Sequence, residues 1–444
     1  MTPRLPLVPF LATLALFAAS SSRLQAQALP NRPLTLQECV GVAVGQSPSE
    51  RSAEFTVEAA THAATAAKAP YYPSLGFNLT ASRWQRRIFL PYDIFPPTAP
   101  LPTIVGPTDD YSLSLNAAYT LFDGGERKAQ LGAAEAQQRA TVADRVRVSQ
   151  DLTLSVHQAF FGYASALDQR DVARKALERT EDHLRLARER KAAGDAPQVD
   201  VAQAASEEAQ ARLSLIRAEG LVLQSRGRLA TAMGLRASTP LEVSVTHEVP
   251  PPPDEGELKA AQEMAPKDRP SLVSAGQSVE AARQNVGLAK SAYSPKIGAM
   301  GSYGREDAAW YPQDQTWYLG ITMTVPIFTG FAHRENLAKA RADLARTEAQ
   351  AQQLGLSVQE EVWDAYAAVL TARQAIEAAE AQVRSARESE RLARERYAAG
   401  AGTLTSLLDA ETSLARAESS LASAQWDYRS ELSHFRWSYG HLTP

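Results

Sequence analysis

Two stretches of the chain alternate apolar and polar residues with a period of two, and each runs directly into a long charged segment. In the first, Tyr111, Leu113, Leu115, Ala117 and Tyr119 alternate with Ser112, Ser114, Asn116, Ala118 and Thr120. A β-strand places those two sets on opposite faces. LFDGG then breaks the strand, and an Ala/Glu/Arg/Gln-rich run opens a helix. In the second, Trp317, Leu319, Ile321, Met323 and Val325 oppose Tyr318, Gly320, Thr322 and Thr324, followed by PIFTGF and again a charged helix. One further alternation precedes each of these, so the pattern predicts strands over 75–84, 111–121, 297–305 and 315–326.

The recurrence is a duplication. LARERKAAG at 186–194 matches LARERYAAG at 392–400, a spacing of 206 (392 minus 186). The same spacing aligns Tyr111 with Trp317, Phe122 with Phe328, Gly124 with Gly330 and Gly234 with Gly440. Upstream, Pro48 and Pro73 pair with Pro270 and Pro295 at a spacing of 222 (270 minus 48). The first copy therefore carries a 16-residue insertion (222 minus 206), which falls within 88–110 between its two strands.

Each copy reads as two short helices, a strand, a loop, a strand, a long helix, a turn and a return helix. The predicted organisation is a first repeat over 29–236, with short helices at 34–46 and 49–68 and a long hairpin at 125–234. A proline-stiffened linker follows at 237–257. A second repeat covers 258–444, with its hairpin at 332–438. Leu407, Leu414, Leu421, Tyr428 and Phe435 recur every seven residues, the seam of a coiled coil. At ~1.5 Å per residue the longest helices reach roughly 100 Å, too long for one compact core to bury.

The strands suit a membrane barrel. They are about ten residues long, enough to cross a bilayer at a tilt. Their polar faces carry Ser, Thr, Asn and Gly, suited to a water-filled lumen. Tyr71, Tyr72, Trp84, Phe89, Tyr92, Phe122, Tyr293, Trp310, Tyr311, Trp317 and Phe328 sit near strand ends, where interfacial girdles occur. Four strands cannot close a barrel, and an open edge in lipid leaves backbone groups unpaired, so several chains must share one barrel. The competing reading is a soluble four-stranded domain bearing two helical hairpins.

Composition and charge narrow the class. Ala, Glu, Arg, Gln and Leu dominate, as in long helices. A formal charge of −4 with signs interspersed offers no basic face for nucleic acid. Arg4, the apolar stretch after it and Ala26-Gln27-Ala28 read as a secretory signal peptide over 1–28, cleaved before Leu29; a membrane anchor is the alternative. The lone Cys39 follows Glu38 and reads as a small apolar residue of the first helix, not a lipidation site. The seven histidines are scattered without ligand spacing, and no nucleotide loop or nucleophile arrangement occurs. The expectation is no enzyme, no metal and no cofactor.

The export signal, the duplication, the strand-to-helix order and the LFDGG and PIFTGF breaks together resemble the outer-membrane efflux protein (TolC) family over essentially the whole mature chain. The family's R-Y-x-x-G motif is matched by Arg396, Tyr397 and Gly400, and its following D-x-L-D-A-like element by Leu407, Leu408, Asp409 and Ala410. The resemblance implies a mainly α fold with a small transmembrane β part. Three chains would form a homotrimer with a twelve-stranded β-barrel in outer-membrane lipid and a pseudo-sixfold helical tunnel across the periplasm. It also implies two partners at the helical tips: a periplasmic adaptor (membrane fusion) protein, and an inner-membrane efflux pump or ABC exporter.

By the same resemblance the tip turns dock the adaptor through Gly194, Asp195, Val199, Gly400, Gly402 and Leu404. The pore entrance is gated through Asp200 and Tyr397. The family's basic gating partner falls on Gly402, so that link is absent. Its ring of entrance acids is half matched, with Asp409 present and Ser406 at the other position; three Asp409 side chains would favour cations. Simpler readings stand beside these: Asp409 as a solvated helix residue, and Gly194 and Gly400 as helix C-caps. The expected function is a passive exit duct energised by partner pumps. The rival is a soluble periplasmic coiled-coil adaptor or scaffold.

Overall fold

The computed structural model describes residues 32–84, 109–194 and 196–442. The signal-peptide region, most of the 88–110 insertion with Phe89 and Tyr92, and Asp195 lie outside the described residues. The first repeat contains α1 (Leu36–Gln46), α2 (Pro48–Ala66), a 3-10 turn (Ala69–Tyr71), β1 (Ser74–Arg83), β2 (Asp109–Phe122), α3 (Glu126–Ala193) and α4 (Gln198–Ala232). The second contains α5 (Glu255–Asp268), α6 (Pro270–Ser291), β3 (Lys296–Asp307), β4 (Asp314–Thr324), α7 (Ala332–Ala398) and α8 (Leu404–Ser438).

Local chemistry sets these boundaries. Thr35 and Glu38 form a reciprocal capping box at α1, and Ser47 caps α2 with Pro48 in its first turn, satisfying otherwise orphaned N–H groups. β4 stops at Thr324, short of the expected end at Pro326, because proline has no N–H to give the ladder. The helix expected from residue 34 begins at Leu36. Leu34 instead bridges Val243 in parallel. The segment between repeats is thus a strap held on the helices: Tyr163 Oη donates to Leu241 O at 3.2 Å, and Arg429 donates to the carbonyls of Thr246 and Glu248. Its last residues already belong to α5.

The four strands form one antiparallel sheet in the order β1-β2-β3-β4. Register puts Leu75, Phe77 and Leu79 opposite Ala117, Leu115 and Leu113. Leu115 in turn lies opposite Tyr303, which lies opposite Trp317. Directly opposed residues share a face, so one face is apolar across all four strands. The other carries Asn78, Thr80, Ser112, Ser114, Asn116, Ser302 and Thr322. Both β1 and β4 are edges of this sheet. The apolar side chains of the outer face, Leu75, Phe77, Leu79, Leu319 and Ile321 among them, are exposed.

The helices form four columns. Gly234, at φ +75°, ends α4 so close to the α1–α2 joint that a Cβ would lie 3.1 Å from Gln46 O and Ser47 Cα. Gly440, at φ +87°, meets the α5–α6 joint in the same way, 2.9 Å from Asp268 O. Half-length α2 and α4 thus stack into one broken column, and α6 and α8 into another. The order across the wall is α2/α4, α3, α6/α8, α7. Two cores sit at equivalent places: Val156, Phe160 and Leu229 in one, Val362, Tyr366 and Phe435 in the other, each pair 206 apart. Leu407, Leu414, Tyr428 and Phe435 of the heptad seam are buried. Cys39 is fully buried in the first core, and burial pushes its thiol up to about 12.

Candidate functional site: the hairpin tips

Each long helix ends in a left-handed glycine. Gly194 (φ +89°) and Gly400 (φ +71°) adopt a conformation that glycine alone takes without strain, and both N–H groups turn back to the preceding turn, Gly400 N to Tyr397 O at 3.1 Å. The return helices are then restarted. Thr403 Oγ1 accepts from Ser406 N at 3.2 Å, and Ser406 Oγ donates to Thr403 O at 2.8 Å. Ser406 is therefore spent on capping α8. Asp200 lies in the first turn of α4, where a carboxylate is favoured by the helix dipole; its side chain has no partner among the described residues.

The two tips pack against each other. Leu184 and Ala187 of α3, Ala204 of α4, Tyr397 of α7, and Leu404, Leu407 and Leu408 of α8 form one buried cluster. Tyr397 is only 7% exposed, and the Arg190 guanidinium lies 4.7 Å from its ring centroid, within cation–π range. Gln203 and Thr405 exchange hydrogen bonds of 3.1 and 3.3 Å between α4 and α8. Just above, His183 Nε2 meets Glu411 Oε1 at 2.6 Å, and Arg394 approaches the same carboxylate at 3.7 Å. That node ties α3, α7 and α8 together.

The residues expected from sequence separate into inward and outward sets. Leu404, expected on a docking surface, is 4% exposed and packs inward, because Leu404, Leu407 and Leu408 form an i, i+3, i+4 face. Val199, at 65% exposed, Gly194 and Gly400 remain at the surface. Gly402 has a steric cause: a Cβ there would lie 3.1 Å from Tyr397 N and 3.2 Å from Arg396 C. No basic side chain fits comfortably at that position, and Arg190, from the opposite hairpin, supplies the cation on Tyr397. Sequence reasoning missed Arg190, although it lies inside the repeated LARER motif.

Asp409 is exposed, with its carboxylate unpartnered among the described residues. The 206 spacing pairs Asp409 with Gln203 and Ser406 with Asp200, so each hairpin offers one acid, one turn apart in height. α4 and α8 both pack on α3 and also reach each other, enclosing a cleft of about 550 Å³ lined by Arg179, Arg217, Arg416, Glu207, Glu411 and Leu408. Among the described residues no group of His, Cys, Asp and Glu could hold a metal ion.

This architecture matches known proteins. The profile described as outer membrane efflux protein covers residues 40–235 and 262–440. The chain belongs to the outer membrane efflux protein family. It is 28% identical over 347 residues to Protein CyaE of Bordetella pertussis, covering 77% of this chain and 70% of that one. It is 26% identical over 350 residues to outer membrane protein OprJ of Pseudomonas aeruginosa, covering 76% and 70%. The solved outer membrane protein VceC of Vibrio cholerae superposes with a TM-score of 0.77 at 21% identity, covering 91% of this chain and 96% of that one. The fold is accordingly that of the TolC-like channels, and this family member is an outer membrane channel component of an efflux or secretion system. Among the described residues no helix is long and apolar enough to cross a membrane.

Proposed function

We propose that three copies of this chain close into one passive exit duct, with a shared twelve-stranded barrel above a helical tunnel. The observation that carries this is the pair of free edges on one wall. β1 runs away from the helices and β4 returns to them, so β4 of one copy beside β1 of the next continues the antiparallel ladder. Such closure removes the edges that lipid does not tolerate. The columns α7 and α2/α4 are the matching free edges of the helical layer.

In this reading residues 1–28 direct export and are removed. The tips meet a periplasmic adaptor and an inner-membrane pump or ABC exporter, with Val199, Gly194 and Gly400 forming the docking surface. Tyr397, held by Arg190 within its own chain, latches the entrance. Asp200 and Asp409 supply the entrance acids. The chain does no chemistry on its cargo, which the pump selects.

Purification of the mature chain from outer membranes in detergent tests the reading. The expected result is a detergent-resistant particle of three chains that forms conducting pores in planar bilayers. A monomer soluble without detergent would overturn it and favour the scaffold alternative.

A further inference from the structure

The duplication places one filled helix junction and one unfilled copy of it in the same chain. α3 packs on α8. Its counterpart α7 has α8 on one side, and the counterpart of α8, which is α4, packs along α3 and meets α8 near the tips. A step of 206 residues therefore converts the α3–α8 junction into one between α7 and the α4 of a second copy.

In the filled junction His157 is the knob. Its Nδ1 lies 2.9 Å from Ser433 Oγ. Ser433 gives its own hydrogen to Arg429 O at 3.0 Å, which makes His157 Nδ1–H the donor. Phe161, one turn on, stacks on Trp426 with centroids 6.1 Å apart. With Ser433, the positions Trp426, Arg429 and Ser430 of α8 have the i, i+3, i+4, i+7 spacing that forms a hole for a knob.

Shifted by 206, His157 becomes Trp363 and Phe161 becomes Ala367. The hole becomes Gly220, Leu223, Gln224 and Gly227. The bulk has changed sides: one large aromatic now stands on α7, and two glycines flank the hole. Trp363 is 55% exposed and Leu223 59%; a Cβ on Gly220 would meet nothing within 4 Å, and one on Gly227 would touch only Ala237 of its own chain, at 3.5–3.6 Å. We infer that Trp363 of one copy seats between Gly220 and Gly227 of a second copy, a register that rests on the oligomer proposed above.

The rest of the junction changes in the same direction. Gln150, whose Nε2 donates to Gly440 O at 2.8 Å, becomes the exposed Leu356. Asp151 with Trp437, joined at 2.9 Å, becomes Ser357 with Thr231. His183 with Glu411 becomes Ser389 with Ala205. The junction inside the chain is polar and titratable, whereas the seam between copies is uncharged at these positions and gains the apolar Trp363, Leu223 and Leu356. Burial of apolar surface gives such a seam strength that salt does not screen.

Cysteine crosslinking tests the register. In a Cys39→Ala background, Trp363→Cys with Gly227→Cys is oxidised in detergent micelles, and a covalent ladder ending at three chains is expected. Trp363→Cys with Leu213→Cys, two heptads away and roughly 21 Å along the same helix, is expected to stay uncrosslinked. A second measurement uses Gly220→Trp, which fills the open end of the hole: the oligomer is expected to dissociate at a lower temperature while far-UV helicity is kept. Crosslinking at 213 instead of 227, or unchanged heat resistance of Gly220→Trp, would overturn the register while leaving the oligomer standing. A particle that is monomeric in every variant and in the parent would remove both.

Discussion

Leu115→Arg tests the facing of the sheet with the largest expected signal. Leu115 is the seventh of the 14 residues of β2 and lies opposite Phe77 on one side and Tyr303 on the other. At about 3.3 Å per residue and a tilt near 40°, it sits roughly 15 Å in height from either end of the strand, the middle of a lipid band about 25 Å tall. Its side chain is 51% exposed in the single chain and points with the apolar set, so an arginine there faces acyl chains. At the midplane this destabilises by about 2–4 kcal/mol per chain. Leu121→Arg, at the helix-side end, is expected to be milder, about 0–1 kcal/mol. Asn116→Arg, on the polar face one residue away, is expected to leave assembly nearly intact. Urea unfolding of protein reconstituted in phospholipid vesicles, followed by the gel shift of the folded form, reads the three variants on one scale. Equal losses for Leu115→Arg and Asn116→Arg would refute the assigned faces, whatever their absolute size.

Other outcomes follow from the same geometry. Burial and the nearby Arg436 hold His157 down at about 4, so the fold favours its neutral form. That contribution is present above the unfolded value near 6.5 and is lost as pH falls towards 4, with a slope of up to about 1.4 kcal/mol per pH unit; His157→Gln is expected to flatten the urea midpoint between pH 7 and pH 5. Tyr397→Ala, which empties a buried ring site, is expected to destabilise by about 3–5 kcal/mol and raise single-channel conductance; an unchanged conductance would deny it a gating role. Asp409→Ala is expected to weaken cation preference in planar bilayers, and unchanged selectivity would leave it a solvated helix residue. Cys39, buried with its thiol held protonated, is expected to react with a thiol reagent only after denaturant is added, as absorbance at the reagent's product band would show.

Patterns that repeat along one element were legible in the sequence. The alternation in β2 and β4 gave the sheet faces, and the heptad from Leu407 to Phe435 gave the buried side of α8, because burial imposes its period directly on residue choice. The 206-residue repeat gave the order of elements in both halves. Contacts between separate elements left weaker traces. Nothing in the run around Pro250 shows that it is strapped to Arg429 and Tyr163, since backbone carbonyls accept those bonds whatever the side chains are. The Arg190–Tyr397 stack joins two hairpins whose separation in sequence carries no period. Gly402 read as a missing charge, and only the approach of its backbone to Tyr397 and Arg396 explains it.

That substitution changes what opening the entrance requires. In the proposed channel the latch lies within each chain, because its cation comes from Arg190 of the same tip cluster and not from position 402. Exposing Tyr397 forfeits about 1.5–3 kcal/mol of apolar burial and about 0.5–2 kcal/mol of cation–π attraction. Three tips opening together therefore need roughly 6–15 kcal/mol. A partner opens the tips only through its preference for the open over the closed form. A preference of about 10⁴-fold is worth about 5.5 kcal/mol, so one such partner at each tip is of the right size to open it, whereas thermal fluctuation alone opens all three rarely. Since none of the latch energy depends on contact between copies, a variant that weakens the Trp363 seam should loosen the assembly without opening its entrance, and one at Tyr397 should open the entrance without loosening the seam.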